Sequence, residues 1–373
     1  MIDGVKNIAV DKTGTVKGFE QLLDSILGHK PESLFILACE GNGLTSEQLN
    51  PILKQMKIPI FGGIFPSIIY NRENINQGTI VIGLARRPVV QIIPNLDLHI
   101  SSSYVIDKNL ITENTKTMFV LLDGCSMRAT NLLDSIFDMF GSELNYLGGG
   151  AGSITTLKPS PCLFSNEGLI QNGALLITMD NPSAIGTTHG LKSISGPHVI
   201  TKSRENIVET IDLKPIYHFF QEIRKSLLLP GQNDNFPLVS RYFSFGLQRS
   251  GTENIIREPA QILDDSSMVF GTNMIERELI HIMRADEEGI FLSLRQTIEQ
   301  IKPPRMSKGM FVVFDCISRK WFFEDRYNEL LDILYYDNFP TIGAQTIGGE
   351  IGCNIDNHIE YLNRTCAVGY IES

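Results

Sequence analysis

The feature that most constrains the fold is an internal repeat, because three separated segments of the chain follow one pattern. Each segment begins with a near-continuous apolar run, which is typical of a strand buried on both faces. The runs are 33–39, 117–123 and 309–315. Three such strands predict an αβ protein of layered architecture rather than a simple doubly wound sheet.

Each apolar run is followed by a helical stretch, a glycine-rich segment and a second apolar strand. In the third helical stretch, for example, Leu330, Leu331 and Leu334 recur at the spacing of one helix face. We interpret the glycine-rich segments as turns, so the predicted unit is strand, helix, glycine turn and returning strand. The helices are expected over 45–56, 129–140 and 323–335. The glycine turns are expected over 60–63, over 146–152, and over 341–344 followed by 348–352. The returning strands are expected over 78–84, 173–179 and 365–371.

The third unit lies much further along the chain than the spacing of the first two would place it. The intervening segment contains strand-like residues up to 207, an amphipathic stretch over 216–228 and an extended, turn-rich run over 237–270. We therefore predict two intimately packed lobes, an N-terminal one over 1–205 and a C-terminal one over 206–373. The expected fold class is mixed α/β, with repeated units in mixed β-sheets and helices outside.

Composition excludes several classes of protein. The chain has 42% hydrophobic and 20% charged residues, which is typical of a globular protein. Its net charge of -10, without a dense Lys/Arg cluster, disfavours binding to nucleic acid or anionic membranes. No apolar stretch of membrane-spanning length and no secretory leader are visible. Six cysteines without a CxxC pair fit a reduced compartment, so a cytoplasmic location is expected.

Catalytic and metal-binding signatures are missing from the sequence. It has no GxSxG elbow and no kinase or deaminase motif, and the acidic pair Asp264 and Asp265 is typical of a solvated turn. The seven histidines lack metal-binding spacing. The sequence therefore predicts neither catalytic residues nor a metal site, with an enzyme of unrecognised chemistry as an alternative.

Polar residues after the third apolar run are the first candidates for ligand contacts, because strand ends commonly carry ligand groups in α/β folds. The guanidinium of Arg319 suits a carboxylate, and Cys316 is either a thiolate beside it or, the favoured interpretation, an inert buried thiol. Glu350, which follows Gly349, could accept a hydrogen bond from an amine of the ligand, with Asn363 beside it as a second contact. Arg319 and Glu350 would then clamp a zwitterion. The alternatives are a salt bridge for Arg319 and turn-stabilising roles for Glu350 and Asn363.

Two further candidates also have structural alternatives, and for the histidine the structural one is favoured. Gly148, Gly149 and Gly150 either present backbone N–H groups to a ligand or let two layers pack closely. Their place after the helix does not fit a dinucleotide fingerprint. His189 is the candidate axial ligand if a haem is bound, and a hydrogen-bonded structural histidine otherwise.

Seven short motifs recur in a characteristic order and spacing. They are 148–152, 172–174, 189–190, 199–202, 314–319, 349–352 and 362–365. Taken together, they make the chain resemble the FIST family, which combines N- and C-terminal FIST domains. One departure is Ser153, where the family commonly has an aspartate; if that carboxylate contacts ligand in relatives, a different ligand class is expected here.

The resemblance implies a cytoplasmic sensory module rather than an enzyme. It implies binding of a small molecule, with amino acids among the proposed ligands, and signalling to a partner such as a histidine kinase. Some family members resemble haem proteins that sense nitric oxide, so a haem sensor is the main alternative. Otherwise no cofactor is expected.

Overall fold

The fold is built from three copies of one α/β unit and an inserted antiparallel sheet, as seen in a computed structural model. The first unit confirms the predicted order of strand, helix and returning strand, and adds a strand and a helix before it. The described residues are 4–98, 104–126, 128–156, 160–228, 241–249, 253–303, 307–336, 339–353 and 358–373. The elements of the first unit are β1 (Val5–Asp11), α1 (Val16–Leu27), β2 (Ser33–Cys39), α2 (Ser46–Leu53), β3 (Ile60–Phe65), β4 (Ser67–Tyr70), β5 (Glu73–Ile75) and β6 (Thr79–Leu84).

The second unit repeats this order, except that two 3-10 turns, Leu96–Leu98 and Lys108–Leu110, stand in the place of α1. Its elements are β7 (Val89–Ile93), β8 (Thr117–Asp123), α3 (Ala129–Phe140), β9 (Asn145–Ala151), β10 (Leu163–Ser165), β11 (Gly168–Ile170) and β12 (Ala174–Met179).

The third unit is interrupted by the inserted sheet after its first strand. Before and within the insertion lie β13 (Ser183–Thr188), β14 (Lys192–Arg204), β15 (Ile207–Ile211), β16 (Lys214–Pro215), α4 (Ile216–Leu227), β17 (Phe243–Leu247), β18 (Ile255–Arg257), β19 (Pro259–Ile262), β20 (Met268–Phe270) and β21 (Leu279–Arg284). After it come α5 (Glu287–Gln300), β22 (Gly309–Cys316), α6 (Ile317–Phe323), α7 (Asn328–Leu334), β23 (Thr341–Thr346), β24 (Glu350–Cys353), β25 (Ile359–Leu362) and β26 (Cys366–Glu372).

The three units exchange hairpins in a cycle. Each unit places four strands in its own sheet, in the orders β1-β6-β2-β3, β7-β12-β8-β9 and β13-β26-β22-β23. The hairpin β4–β5 of the first unit joins the third sheet, β10–β11 of the second joins the first sheet, and β24–β25 of the third joins the second sheet. The strands β2, β8 and β22 hold equivalent positions, which confirms the repeat, and the exchange ties the two predicted lobes together.

The interpretation of the glycine-rich segments as turns is wrong, because most of their residues form β3, β9 and β23. Each of these strands runs parallel to the first apolar strand of its unit. Glycine is required at two positions of these strands. A Cβ at Gly148 in β9 would lie 1.8 Å from the Val120 carbonyl oxygen, and one at Gly343 in β23 would lie 2.2 Å from the Val313 carbonyl oxygen. Gly148 pairs with Val120 in the second unit, and Gly343 pairs with Val313 in the third. When the units are aligned on these glycines, the counterpart of Phe119 is Val312 and not Phe311.

Gly148→Ala tests this packing. The contact is with backbone, which cannot rotate away, so we expect the variant to lose roughly 3 kcal/mol of unfolding free energy. Chemical denaturation followed by circular dichroism measures the loss. Gly28→Ala is the control, since its Cβ would meet its nearest neighbour at 3.4 Å. Equal stability of the two variants would contradict the close approach.

The predicted helix over 323–335 is also wrong in its bounds. The chain forms α6, then a 3-10 turn over Glu324–Tyr327, then α7. The break falls at Glu324, whose φ of 49° is left-handed and cannot continue an α-helix. The helix predicted over 129–140 is confirmed as α3, and that over 216–228 is confirmed as α4 apart from its last residue.

The inner faces of the three sheets meet in one core. Phe35 of the first sheet lies 6.0 Å from Phe119 of the second, and Phe65 lies 6.2 Å from Phe314 of the third, between ring centroids. On the outer faces, α1 and α2 pack on the first sheet, α3 on the second, and α5 and α7 on the third. The architecture is therefore helices outside mixed sheets, as predicted.

The insertion is a sheet in the order β18-β17-β21-β14-β15-β20-β19, with β16 beside β15 and α4 against its core. Of the predicted extended run, 237–240 and 250–252 lie outside the described residues. The predicted boundary at 205/206 falls between β14 and β15 of this one sheet, and the domain division stays a prediction. Across the described parts of the chain, no helix has the length and apolar character needed to cross a membrane.

Candidate functional site

A buried ion pair occupies the carboxyl end of β22. Asp315 is the penultimate residue of the strand and Arg319 lies one turn into α6, so their side chains meet at i and i+4. The Nε of Arg319 is 2.7 Å from Oδ1 of Asp315, and both side chains are at most 2% exposed. Tyr327 donates a hydrogen bond of 2.6 Å to the other carboxylate oxygen. Arg319 is thus held by the protein itself.

The remaining donors of Arg319 point towards the first lobe. Its Nη1 donates to the His189 carbonyl over 3.3 Å. Its Nη2 has no hydrogen-bond acceptor among the described residues. One donor of this guanidinium is therefore available to a ligand or water, although the side chain is buried.

Glu350 is a buried carboxyl without a cationic partner within 4 Å among the described residues. It accepts hydrogen bonds from the Thr346 hydroxyl and, at 3.4 Å, from the Thr365 backbone N–H. Burial raises its pKa to about 8, since desolvation penalises the carboxylate more than these hydrogen bonds stabilise it. A carboxyl that is neutral near physiological pH can donate its own proton to a neighbour.

Cys316 is buried next to Glu350. Burial, followed by the nearby Glu350, raises the pKa of the Cys316 thiol, so it is neutral rather than a thiolate. The Ser318 hydroxyl donates to its Sγ over 3.1 Å. Cys316 is buried, as the favoured interpretation requires, and its chemical inertness stays a prediction.

The glycines of β9 pack directly against this cluster. A Cβ at Gly149 would lie 2.5 Å from the Thr346 methyl group, and one at Gly150 would lie 2.3 Å from the Gly348 carbonyl oxygen. Gly149 and Gly150 therefore allow two sheets to approach closely.

Gly349 and Asn363 complete the surroundings of Glu350. Gly349 has a left-handed φ of 70°, and a Cβ there would meet the Tyr361 ring at 2.6 Å. The Asn363 carbonyl accepts a hydrogen bond of 2.8 Å from the Thr365 hydroxyl. Asn363 thus helps to order the turn before β26.

His189 does not fit a haem ligand in this arrangement. Its Nδ1 accepts a hydrogen bond of 2.8 Å from the Leu191 N–H, so Nε2 carries the proton and donates to the Asn254 carbonyl over 2.9 Å. The ring is nearly buried. Neither nitrogen offers a lone pair to iron unless one of these two hydrogen bonds breaks.

The residues predicted for the site thus lie in one region. Arg319 contacts His189 and pairs with Asp315, which directly precedes Cys316. Cys316 in turn neighbours Glu350. Gly149 packs on Thr346, whose hydroxyl donates a hydrogen bond to Glu350. Their direct contact with a ligand stays a prediction. Within the described ranges, no group of three or more His, Cys, Asp or Glu side chains could hold a metal ion.

An open cleft of about 530 Å³ lies over this cluster, and we call it the strand-end cleft. Sequence reasoning missed most of its charged residues, although Arg364 belongs to a motif noted above. Its lining residues are Arg241, Ser318, Lys320, Trp321, Glu324, Asp325 and Arg364.

Two pairs of charges in and beside the cleft neutralise each other. Arg241 lies 2.7 Å from Glu324, and Arg364 lies 2.8 Å from Glu258. Lys320 instead donates to the neutral amide of Asn76 over 2.8 Å and has no carboxylate within 4 Å among the described residues.

Comparison with protein families decides the relationship of the chain. The FIST N domain model matches residues 13–214, and the FIST C domain model matches residues 220–353. The chain belongs to the FIST family. No curated protein matches it significantly.

FIST domains are sensory modules of signal transduction. In this FIST protein the glycine strand β9 and His189 come from the part matched by the FIST N domain, whereas Asp315, Arg319 and Glu350 come from the FIST C part. The candidate site therefore lies where the two matched regions meet.

Proposed function

We propose that this FIST protein is a sensor that binds a small zwitterionic metabolite, with amino acids as the first candidates, in the strand-end cleft. The main support for the proposal is that the cleft contains one positive and one negative side chain without an ion-pair partner among the described residues. Lys320 and Asp325 both line the cleft, and neither has an oppositely charged group within 4 Å among the described residues. An amino acid supplies the complementary carboxylate and ammonium.

A hydrogen bond also connects the cleft to the buried cluster beneath it. Ser318 lines the cleft and donates to Cys316, which neighbours the neutral carboxyl of Glu350. A polar ligand that took the Ser318 hydroxyl would therefore alter the hydrogen bonding of the cluster between the FIST N and FIST C parts.

Binding can also change the relative positions of two parts of the fold. Arg241 lies just before β17 of the inserted sheet, whereas Glu324 and Asp325 follow α6 of the third unit. A ligand that competes with the exposed Arg241–Glu324 pair would favour one arrangement of these parts over another. A ligand signals only through such a difference in affinity between two states.

We propose a signalling protein, such as a histidine kinase, as the recipient of this change, and the cytoplasm as its location. The six cysteines support the cytoplasm because all are free thiols. The neutral thiol of Cys316 and the structural bonds of His189 support a binding role rather than a catalytic one.

The only tryptophan of the chain provides a direct test. Trp321 lines the cleft and is 45% exposed, so titration with a panel of amino acids should change its fluorescence emission. Lys320→Met removes the ammonium but keeps an apolar stem, and we expect about tenfold weaker binding because a charge-assisted hydrogen bond is lost.

Lys17→Ala on α1 is the matched control, because it removes an exposed lysine outside the cleft. It should bind like the parent protein, while Asp325→Asn should weaken binding of amino acids but not of simple carboxylates. Saturable binding that is unchanged by both cleft substitutions would reject the cleft as the ligand site.

A further inference from the structure

A second cavity lies at the opposite end of β22 and is lined by residues from all three units. It has a volume of about 160 Å³ and touches the beginning of β22 and the ends of β6, β12 and β26. We call it the three-unit cavity. The strand-end cleft lies beyond the carboxyl end of β22, so the two sites are at opposite ends of this strand.

Five apolar side chains of the central core line the three-unit cavity, and each is at most 8% exposed. They are Val5, Leu84, Met179, Met310 and Ile371. The buried polar side chains of Thr115, Thr178 and Asn181 complete this part of the lining. A cavity of this size holds a group comparable to benzene. An aliphatic chain of about four to six carbons is therefore the largest occupant that it accommodates without rearrangement.

The mouth of the cavity carries charges of both signs. Arg86 and Arg87 follow β6, Asp180 follows β12, and Glu372 ends β26. All four are exposed, and none lies within 4 Å of an opposite charge among the described residues. Two adjacent guanidinium groups can bind one carboxylate by charge-assisted hydrogen bonds.

We propose that the three-unit cavity is a second ligand site, for a small molecule with an apolar chain of about four to six carbons and a carboxylate head. The chain lies against the five core side chains, and the carboxylate binds Arg86 and Arg87. This ligand chemistry occurs both in free carboxylic acids and in apolar amino acids. Asp180 and Glu372 favour the amino acid, because its ammonium meets a carboxylate. The inference does not rest on the strand-end cleft.

Calorimetric titration with hexanoate and with norleucine tests the site, since the two differ only by the α-ammonium group. We expect both to bind and norleucine to bind more tightly. The double variant Arg86→Ala/Arg87→Ala should weaken both by about tenfold or more. Asp180→Asn/Glu372→Gln should remove the advantage of norleucine and leave hexanoate binding intact.

Three controls separate this site from other effects. Arg204→Ala removes an exposed arginine of β14 and should change neither affinity. Hexylamine, which lacks the carboxylate for Arg86 and Arg87, should bind more weakly than norleucine, and decanoate should bind more weakly than hexanoate because its chain exceeds the cavity. Trp321 emission should stay constant on binding here, which distinguishes failure of this site from failure of the cleft. Absence of binding by both hexanoate and norleucine, or binding insensitive to the arginine substitutions, would overturn the proposal.

Discussion

Replacing Asp315 by asparagine should lower the free energy of unfolding by about 3 to 5 kcal/mol. The substitution keeps the size of the side chain but leaves the Arg319 guanidinium without its carboxylate. Both groups are at most 2% exposed, so the unpaired guanidinium stays shielded from bulk solvent. The hydrogen bond from Tyr327 also loses its charged acceptor. Urea denaturation followed by circular dichroism measures the change.

The matched control is Glu329→Gln, which removes one partner of an exposed ion pair. Arg326 and Glu329 lie 2.6 Å apart with about half of each side chain exposed, so we expect a loss below about 1 kcal/mol. The double variant Asp315→Asn/Arg319→Met should recover most of the stability lost by Asp315→Asn, because it no longer buries an unpaired charge. Similar losses for Asp315→Asn and Glu329→Gln would show that the buried pair is dispensable.

This result also determines how ligand experiments on Arg319 are interpreted. The sequence suggested two roles for Arg319, a ligand contact and a salt bridge, and the ion pair with Asp315 establishes the second. Loss of ligand binding by Arg319→Ala therefore has to be compared with its loss of stability. Lys320→Met avoids this problem because Lys320 lies in the open cleft.

The repeat could be predicted because its evidence is local. A strand buried on both faces must be apolar at successive positions, and β2, β8 and β22 all show this in the sequence. The glycines of β9 were recognised but misassigned, because a glycine needed beneath a neighbouring carbonyl cannot be distinguished by sequence from one in a turn. Only the pairing of Gly148 with Val120 reveals which applies.

The hairpin exchange and the cleft could not be predicted for a different reason. The hairpin strands have only three or four residues, and their partners lie in another unit, so no periodicity marks them. Lys320 and Asp325 are ordinary charged residues in the sequence. They line one cleft because the chain breaks at Glu324 between α6 and the 3-10 turn.

Glu350→Gln should abolish a pH dependence of stability that the parent protein shows between about pH 5 and pH 8. Folded Glu350 keeps its proton up to a pKa of about 8, whereas in the unfolded chain the pKa is near the ordinary 4.5. The folded state therefore binds more protons in this range, and the free energy of unfolding falls as pH rises. Each pKa unit corresponds to about 1.4 kcal/mol, so the total loss is on the order of 4 kcal/mol.

Denaturation series at several pH values measure this slope for the parent protein and the variant. Glutamine cannot ionise, so Glu350→Gln should be less stable than or equal to the parent at pH 5 and more stable above pH 8. Glu20→Gln, at an exposed carboxylate of α1, should retain the parent's slope. Asp315 and Cys316 lie close enough to Glu350 to influence its titration, but they are present in both proteins and cancel in the comparison. An unchanged slope in Glu350→Gln would mean that Glu350 ionises in the folded protein as readily as in the unfolded chain, and the neutral carboxyl beneath the strand-end cleft would have to be abandoned.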